Sequence, residues 1–113
     1  MSFSSLIALL FPHLAELEVA EVACAGNTLR LRAATRTREA DCPACGNSSR
    51  HVHSRYTRQL ADTPVSGRQT LIHLEVRRFF CDHTECAKRT FAEQIPGLTS
   101  PYARTTPLLR QTR

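Results

Sequence analysis

Apolar positions follow two different periods along this chain. Near the start, Leu6, Leu9 and Leu10 recur at i, i+3 and i+4. That spacing predicts a short helix over Ser4–Phe11, which Pro12 ends. Beyond it the period falls to two. Leu17–Ala25 and Thr28–Thr35 read as strands around a Gly26-Asn27 turn. In the second of these, Leu29, Leu31 and Ala33 alternate with Arg30, Arg32 and Ala34, so one face is apolar and the other basic.

A second hairpin is predicted from Ser49–Ala61 and Arg68–Phe80, flanking the turn formers Asp62-Thr63-Pro64-Val65-Ser66-Gly67. Thr70, Ile72, Leu74 and Val76 fall on one face of the returning strand, and Leu71, His73, Glu75 and Arg77 on the other. β-Branched residues favour strand over helix there. A turn centred near Val65-Ser66 sets His53 opposite Arg78, Ser54 opposite Arg77 and Cys45 in register with Cys86. Arg89–Glu93 adds a short strand, and Gly97–Pro101 reads as a linker. Thr105-Thr106-Pro107 places an N-cap before a proline at N1, which starts a helix of about two turns. The expected fold is mostly β, a small domain built on β-hairpins, with a short N-terminal helix and the start of a C-terminal one. Residues 1–40 form the N-terminal helix and hairpin, packed with the long hairpin's module; 41–96 form that ribbon module; 97–113 are linker and truncated helix start. No internal repeat or low-complexity tract is present.

The length of 113 residues suits one compact domain and excludes two independent enzyme domains. At 42% hydrophobic the chain is not of disordered composition, and no segment approaches the roughly 20 apolar residues of a membrane span. The apolar run Leu6–Phe11 has no Lys or Arg before it, unlike a secretory signal, so a reducing cytoplasmic setting is expected. Fifteen Lys+Arg against ten Asp+Glu give a net charge of +5. Fourteen of those cations are arginine, the residue that grips phosphate bidentately. Thirteen cations and only seven acids lie in residues 36–113, so the basic character belongs to the cysteine-bearing part.

Five cysteines in so short a chain need a reason. Cys42-Pro43-Ala44-Cys45-Gly46 is a knuckle whose two thiolates can face one metal, with glycine free to close the turn at positive φ. Cys81 and Cys86 form a C-x4-C pair within the range of zinc sites. The hairpin delivers the second pair to the first, so Cys42, Cys45, Cys81 and Cys86 around one structural Zn2+ is the expected outcome, which makes the expected fold a zinc-ribbon-like domain with 41–96 as its zinc-binding β-ribbon. Alternatives are two disulfides, or His83 replacing Cys86 as the fourth ligand. A dithiol redox motif would want a βαβ context that is missing. Cys24 stands alone in the first strand and reads as a buried structural thiol. Four protein ligands leave no open position, so no catalytic metal is implied.

Arg50, His51, His53, Arg55 and Arg58 crowd the outgoing strand, Arg77 and Arg78 lie on the return, and Lys88 and Arg89 follow the second cysteine pair. Like charge should therefore accumulate at the metal end of the ribbon. A two-stranded ribbon can enter a major groove or track phosphates; the alternative is an ordinary solvated strand face. Tyr56 and Phe80 can stack on bases, although core packing suits Phe79 and Phe80. His51 and His53 read as polar surface. Asp41, Asp62 and Asp82 read as isolated turn acids, and no paired carboxylates, P-loop or nucleophile–base motif is present.

The series Cys42-Pro43-Ala44-Cys45-Gly46, Val52-His53-Ser54-Arg55-Tyr56, Val76-Arg77-Arg78-Phe79-Phe80-Cys81, Lys88-Arg89-Thr90-Phe91-Ala92-Glu93 and Pro101-Tyr102-Ala103-Arg104 resembles the N-terminal zinc-finger region of bacterial insertion-sequence transposases of the ISL-three family. The resemblance runs over nearly the whole chain and is most specific from 42 to 104. It implies zinc on the same four cysteines and terminal inverted-repeat DNA as the ligand. In that family a helix-turn-helix and a ribonuclease-H-like catalytic domain follow. The chain stops where the former should begin, and Thr63 stands where leucine is common before the proline.

The combined expectation is a truncated or stand-alone DNA-recognition module without catalytic activity. Its double-stranded DNA would be contacted through Arg50, His53, Arg55, Arg58, Arg77, Arg78, Lys88, Arg89 and Arg104. The competing reading is a protein-interaction or dimerisation module associating through the apolar strand faces, with itself or a transposase partner.

Overall fold

The computed structural model describes residues 2–99 and 103–111. Helix α1 spans Phe3–Leu10, capped by the Ser2 hydroxyl, which accepts from the Ser5 N–H at 3.1 Å. Pro12 opens a 3-10 turn over Pro12–Leu14, and the chain then enters strand β1, Leu17–Ala25. The predicted apolar stripe is not the one that packs. Leu6, Leu9 and Leu10 are exposed, and the core takes Ile7, Phe11, Leu14 and Leu17 instead. The 3-10 turn extends the helix's opposite side into the strand, and that side faces the sheet.

β1 pairs antiparallel with β2, Thr28–Thr35, with Ala25 opposite Thr28 across the Gly26-Asn27 turn. Both strands match the ranges expected from the alternation. Leu31 and Ala33 are buried while Arg30 and Arg32 are exposed. Cys24 corrects the sequence reading: it lies near the exposed tip of this hairpin, and its Sγ reaches only the Gly26 carbonyl, at 3.4 Å. β1 is an edge strand and its last residues outrun the core that α1 covers.

Two short strands, β3 (Ala40–Asp41) and β4 (Ser48–Ser49), bracket the first cysteine knuckle. The long hairpin follows as β5 (Val52–Val65) and β6 (Arg68–Phe80). Its turn is tighter than expected. Ser66 and Gly67 take φ of 50° and 74°, the two positive values that a type I′ turn requires. Irregularities between Asp62 and Val65, and between Val52 and Ser54, then shift the register. The first absorbs Pro64, which has no N–H for a ladder and is tolerated on an edge strand at a bulge. In consequence Arg55 faces Arg77 and Ser54 faces Arg78, one residue away from the predicted pairing.

β6 is the centre of the sheet, whose order is β1-β2-β6-β5. β2 lies parallel to it along residues 69–75, so the N-terminal hairpin joins the ribbon's sheet. Strand β7, Thr90–Ala92, continues along that edge opposite Arg78–Phe80. Thr70, Ile72, Leu74 and Val76 are buried on one face, with Leu31, Leu60 and the α1 residues. At the other end of β6 the opposite parity is used: Phe79 packs on Phe91 (ring centroids 5.7 Å apart) and on Cys42. One strand therefore serves two cores on opposite faces.

The C-terminal segment packs as well. Leu98 is buried in the main core, so the start of the expected linker is part of it, while Ser100 and Pro101 lie outside the described residues. Ala61 on β5 bonds Arg104 and Thr106 through the backbone, and helix α2 spans Pro107–Gln111. The Thr106 hydroxyl accepts from the Leu109 N–H at 3.2 Å, the cap that its sequence position implied. Asp62 is no isolated turn acid. It is buried, accepts from Thr106 Oγ1 at 2.7 Å, and meets His13 Nε2 at 2.7 Å. Burial pushes its carboxyl up, but the hydrogen bonds from His13, Thr106 and the Thr63 backbone outweigh this and hold it below the ordinary 3.8.

Candidate metal centre and basic groove

The first knuckle is closed by two backbone bonds, Gly46 N–H to Cys42 O at 2.8 Å and Cys42 N–H to Asn47 O at 3.0 Å. Gly46 sits at φ 78°, where a side chain would be strained. The second pair follows directly from β6. The Cys81 N–H bonds Arg89 O at 2.8 Å and the Cys86 N–H bonds His83 O at 3.0 Å, which folds the loop back on itself. The Ser49 hydroxyl donates to the Phe80 carbonyl and so ties β4 to the end of β6.

These two loops bring Cys42, Cys45, Cys81 and Cys86 together, with all four sulfurs within 4.8 Å of one another. Cys42 Sγ is 3.8 Å from Cys86 Sγ, and Cys45 Sγ is 3.6 Å from Cys81 Sγ. Neither Cys45 nor Cys86 belongs to the ribbon ladder, so the expected Cys45–Cys86 register is not formed; the knuckles curl beyond the ladder and meet through their sulfurs. A tetrahedral ion with Zn–S bonds of about 2.3 Å holds its sulfurs about 3.8 Å apart, so the cluster fits Zn2+. No disulfide is formed: all five cysteines are free. His83 is exposed and outside the cluster, leaving Cys86 as the fourth ligand.

Electrostatics favour a cation in the same place. The backbone N–H of Asn47, helped by its side-chain amide 3.4 Å from the sulfur, draws the Cys45 thiol down to about 6. At Cys81 the His83 backbone N–H acts the same way, but burial and the three neighbouring thiols prevail and push it up to about 12. Cys86 is also raised. Four thiolates so close repel one another unless a divalent ion sits between them. Zn2+ bound here would be structural, since four protein ligands close the coordination sphere.

The basic residues are distributed differently from the sequence expectation. At the metal end of the ribbon two of the arginines have acid partners: Arg50 pairs with Glu39 and Arg55 with Glu75, each at 3.3 Å. Arg77 is largely shielded. Its Nη2 bonds Glu93 Oε2 at 2.9 Å and Thr35 Oγ1 at 2.7 Å, and its guanidinium lies 4.9 Å from the Phe79 ring centroid. Sequence reasoning missed Glu93 in this role, since only the pairing of β7 with β6 brings it to Arg77.

Arg58, Arg78 and Lys88 instead line an open groove of about 570 Å3, together with Tyr56, Ala92 and Gln94. No acid lines it. Arg58 Nη2 bonds the Ala103 carbonyl and Arg78 Nε bonds Thr90 Oγ1, which fixes both stems along the walls. Arg89 and Arg104 are exposed outside the groove. His51 and His53 flank the Phe80 ring, at centroid distances of 4.5 and 4.8 Å. A neighbouring groove of about 680 Å3 carries Glu16, Glu39, Asp41 and Glu93 beside Arg36 and His13, so acids line that groove and not the first.

A four-cysteine metal cluster on a β-hairpin defines a zinc ribbon. Residues 38–86, which contain both cysteine pairs, match the family model described as the zinc-finger of transposase IS204/IS1001/IS1096/IS1165. That segment, less than half of the chain, is similar to the zinc-finger family whose resemblance the sequence motifs bore. Searches of curated proteins and of solved structures found no match. Among the described residues no helix is long and apolar enough to cross a membrane.

Proposed function

We propose that this zinc-binding transposase module recognises DNA, with the terminal inverted repeats of an insertion sequence as its target. The observation that carries the reading is the groove lined by Arg58, Arg78 and Lys88, with no acid among its walls, beside the zinc centre. Cations gathered in one groove release condensed ions from the phosphate backbone they contact, which gives salt-dependent affinity. Arg89 and Arg104 extend the contact, as do Arg50, Arg55 and His53 where their partners yield to phosphate. Arg77 supports the surface from inside. The chain in this reading binds DNA ends and does not itself carry out strand transfer, acting as a recognition part or a passive competitor for those ends.

The test is a fluorescence-anisotropy titration of the zinc-loaded protein on duplex inverted-repeat DNA and on a scrambled duplex. Binding at low salt that weakens steeply with added salt, and favours the repeat, supports the reading. No binding to either duplex at low salt overturns it.

A second reading rests on α1. Its side chains Phe3, Leu6, Leu9 and Leu10 are uncharged, apolar and exposed, whereas the apolar strand faces expected to mediate association are buried. Self-association through α1 would present two recognition modules to paired ends. Sedimentation of the wild type and Leu9→Glu checks it: a dimer that this substitution dissolves is the expected result.

A further inference from the structure

One face of β6 changes character along its length. Ile72, Leu74 and Val76 are buried in the main core. The next two residues of the same parity, Arg78 and Phe80, lie beyond that core on the side away from Phe79 and the cysteines. Cross-strand neighbours continue the pattern: Tyr56 faces Val76, Ser54 faces Arg78 and Thr90 faces Phe80. Tyr56 is 44% exposed, and Phe80 remains partly exposed between the two imidazoles. His51 is itself held by Asp82 at 3.3 Å. A surface of this kind has aromatic stations at both ends and a guanidinium between them. Val76 and Phe80 are four residues apart, which places the stations about 14 Å apart along an extended strand.

Paired bases hide their π-faces in the helical stack, so an aromatic side chain gains little on sealed duplex. Unpaired bases expose those faces, and grooves that combine aromatic platforms with cations are the usual device for holding them. Arg78 supplies a cation between the two stations, and Lys88 stands in the same acid-free groove. We propose that Tyr56, Arg78 and Phe80 form a platform for single-stranded DNA, on which unpaired bases stack at Tyr56 and Phe80 while Arg78 holds the intervening phosphate. The inference rests on the proposed DNA-binding role and deepens it: the module grips a frayed or nicked end as well as duplex.

The experiment compares a fluorescein-labelled single strand with the duplex of the same sequence. Proteins are the zinc-loaded wild type, Tyr56→Ala, Tyr56→Phe and Arg78→Ala, each checked for full zinc content. Tyr56→Ala should weaken single-strand binding about tenfold or more and duplex binding less than twofold, with Tyr56→Phe close to wild type. Arg78→Ala should weaken both. A second readout avoids the alanine variant. The chain has no tryptophan and only two tyrosines, so in a Tyr102→Phe background the emission reports Tyr56 alone. Single-stranded DNA should quench that emission and duplex should not. Equal loss on both substrates, or no quenching by a bound single strand, overturns the platform while leaving duplex recognition intact. Absence of binding to either DNA overturns the DNA-binding role itself.

Discussion

Arg77 and the buried Glu93 form a largely shielded ion pair, 2.9 Å between Nη2 and Oε2, that joins the central strand to the segment leaving β7. Thr35, the last residue of β2, accepts from the same guanidinium and donates to the same carboxylate. The pair thus closes the corner where the N-terminal hairpin, the ribbon and the zinc module meet. Removing one partner leaves the other buried and uncompensated. Arg77→Ala should lower stability by about 3 kcal/mol, and a double replacement by apolar residues should recover much of it. Urea melts of the single and double variants check this.

Zinc should be present at one ion per chain and needed for folding of the module. Structural zinc can contribute roughly 10–16 kcal/mol of apparent folding free energy, and the cluster around Phe79 and Phe91 is built against the cysteines. Cys81→Ser or Cys86→Ser should abolish tight zinc retention, whereas His83→Ala and Cys24→Ser should leave it unchanged. Metal content after dialysis, with thiol titration before and after chelator, reads the result.

Asp62 predicts an acid-sensitive tail. Its folded pKa is depressed, so its contribution to stability is fully present above the ordinary carboxyl value of 3.8 and is lost as pH falls through the lower folded value. Asp62→Asn should cost about 1–3 kcal/mol at neutral pH, because His13 and Thr106 lose a charged acceptor. The gap between variant and wild type should narrow below pH 3.8. Hydrogen exchange at Ala61, Thr106 and Leu109 would report the release of the C-terminal segment directly.

Lys88→Ala and Arg78→Ala should each reduce the salt slope of DNA binding by about one, with Arg50→Ala changing it less. The ranking follows from compensation: Arg50 pairs with Glu39, while the groove has no acid. Equal effects at all three positions would mean that the charge of the module, and not the groove, governs affinity.

Local signals were legible in the sequence where one neighbouring stretch decides the outcome. The alternation of Leu29–Ala34 and of Thr70–Val76 located β2 and β6, and cysteine spacing located the metal cluster. Thr106-Pro107 marked the final helix. What failed was non-local. The register slipped because the turn needs positive φ at Ser66 and Gly67, and Pro64 is taken up in a bulge. Cys24 was misplaced because alternation cannot say where a strand outruns its covering helix. Arg77 looks like any surface arginine until β7 brings Glu93 beside it.

The two-sided use of β6 also bears on how the module can be handled. The family match ends at Cys86, yet β7 beyond it supplies Phe91, and α1 before residue 38 supplies Ile7. A fragment cut to the matched boundaries would keep every zinc ligand but uncover Ile72, Leu74 and Val76, a sticky strand face with open edges. Such a piece would load metal and still precipitate. The zinc finger here is a chemical unit whose solubility is owned by its flanks.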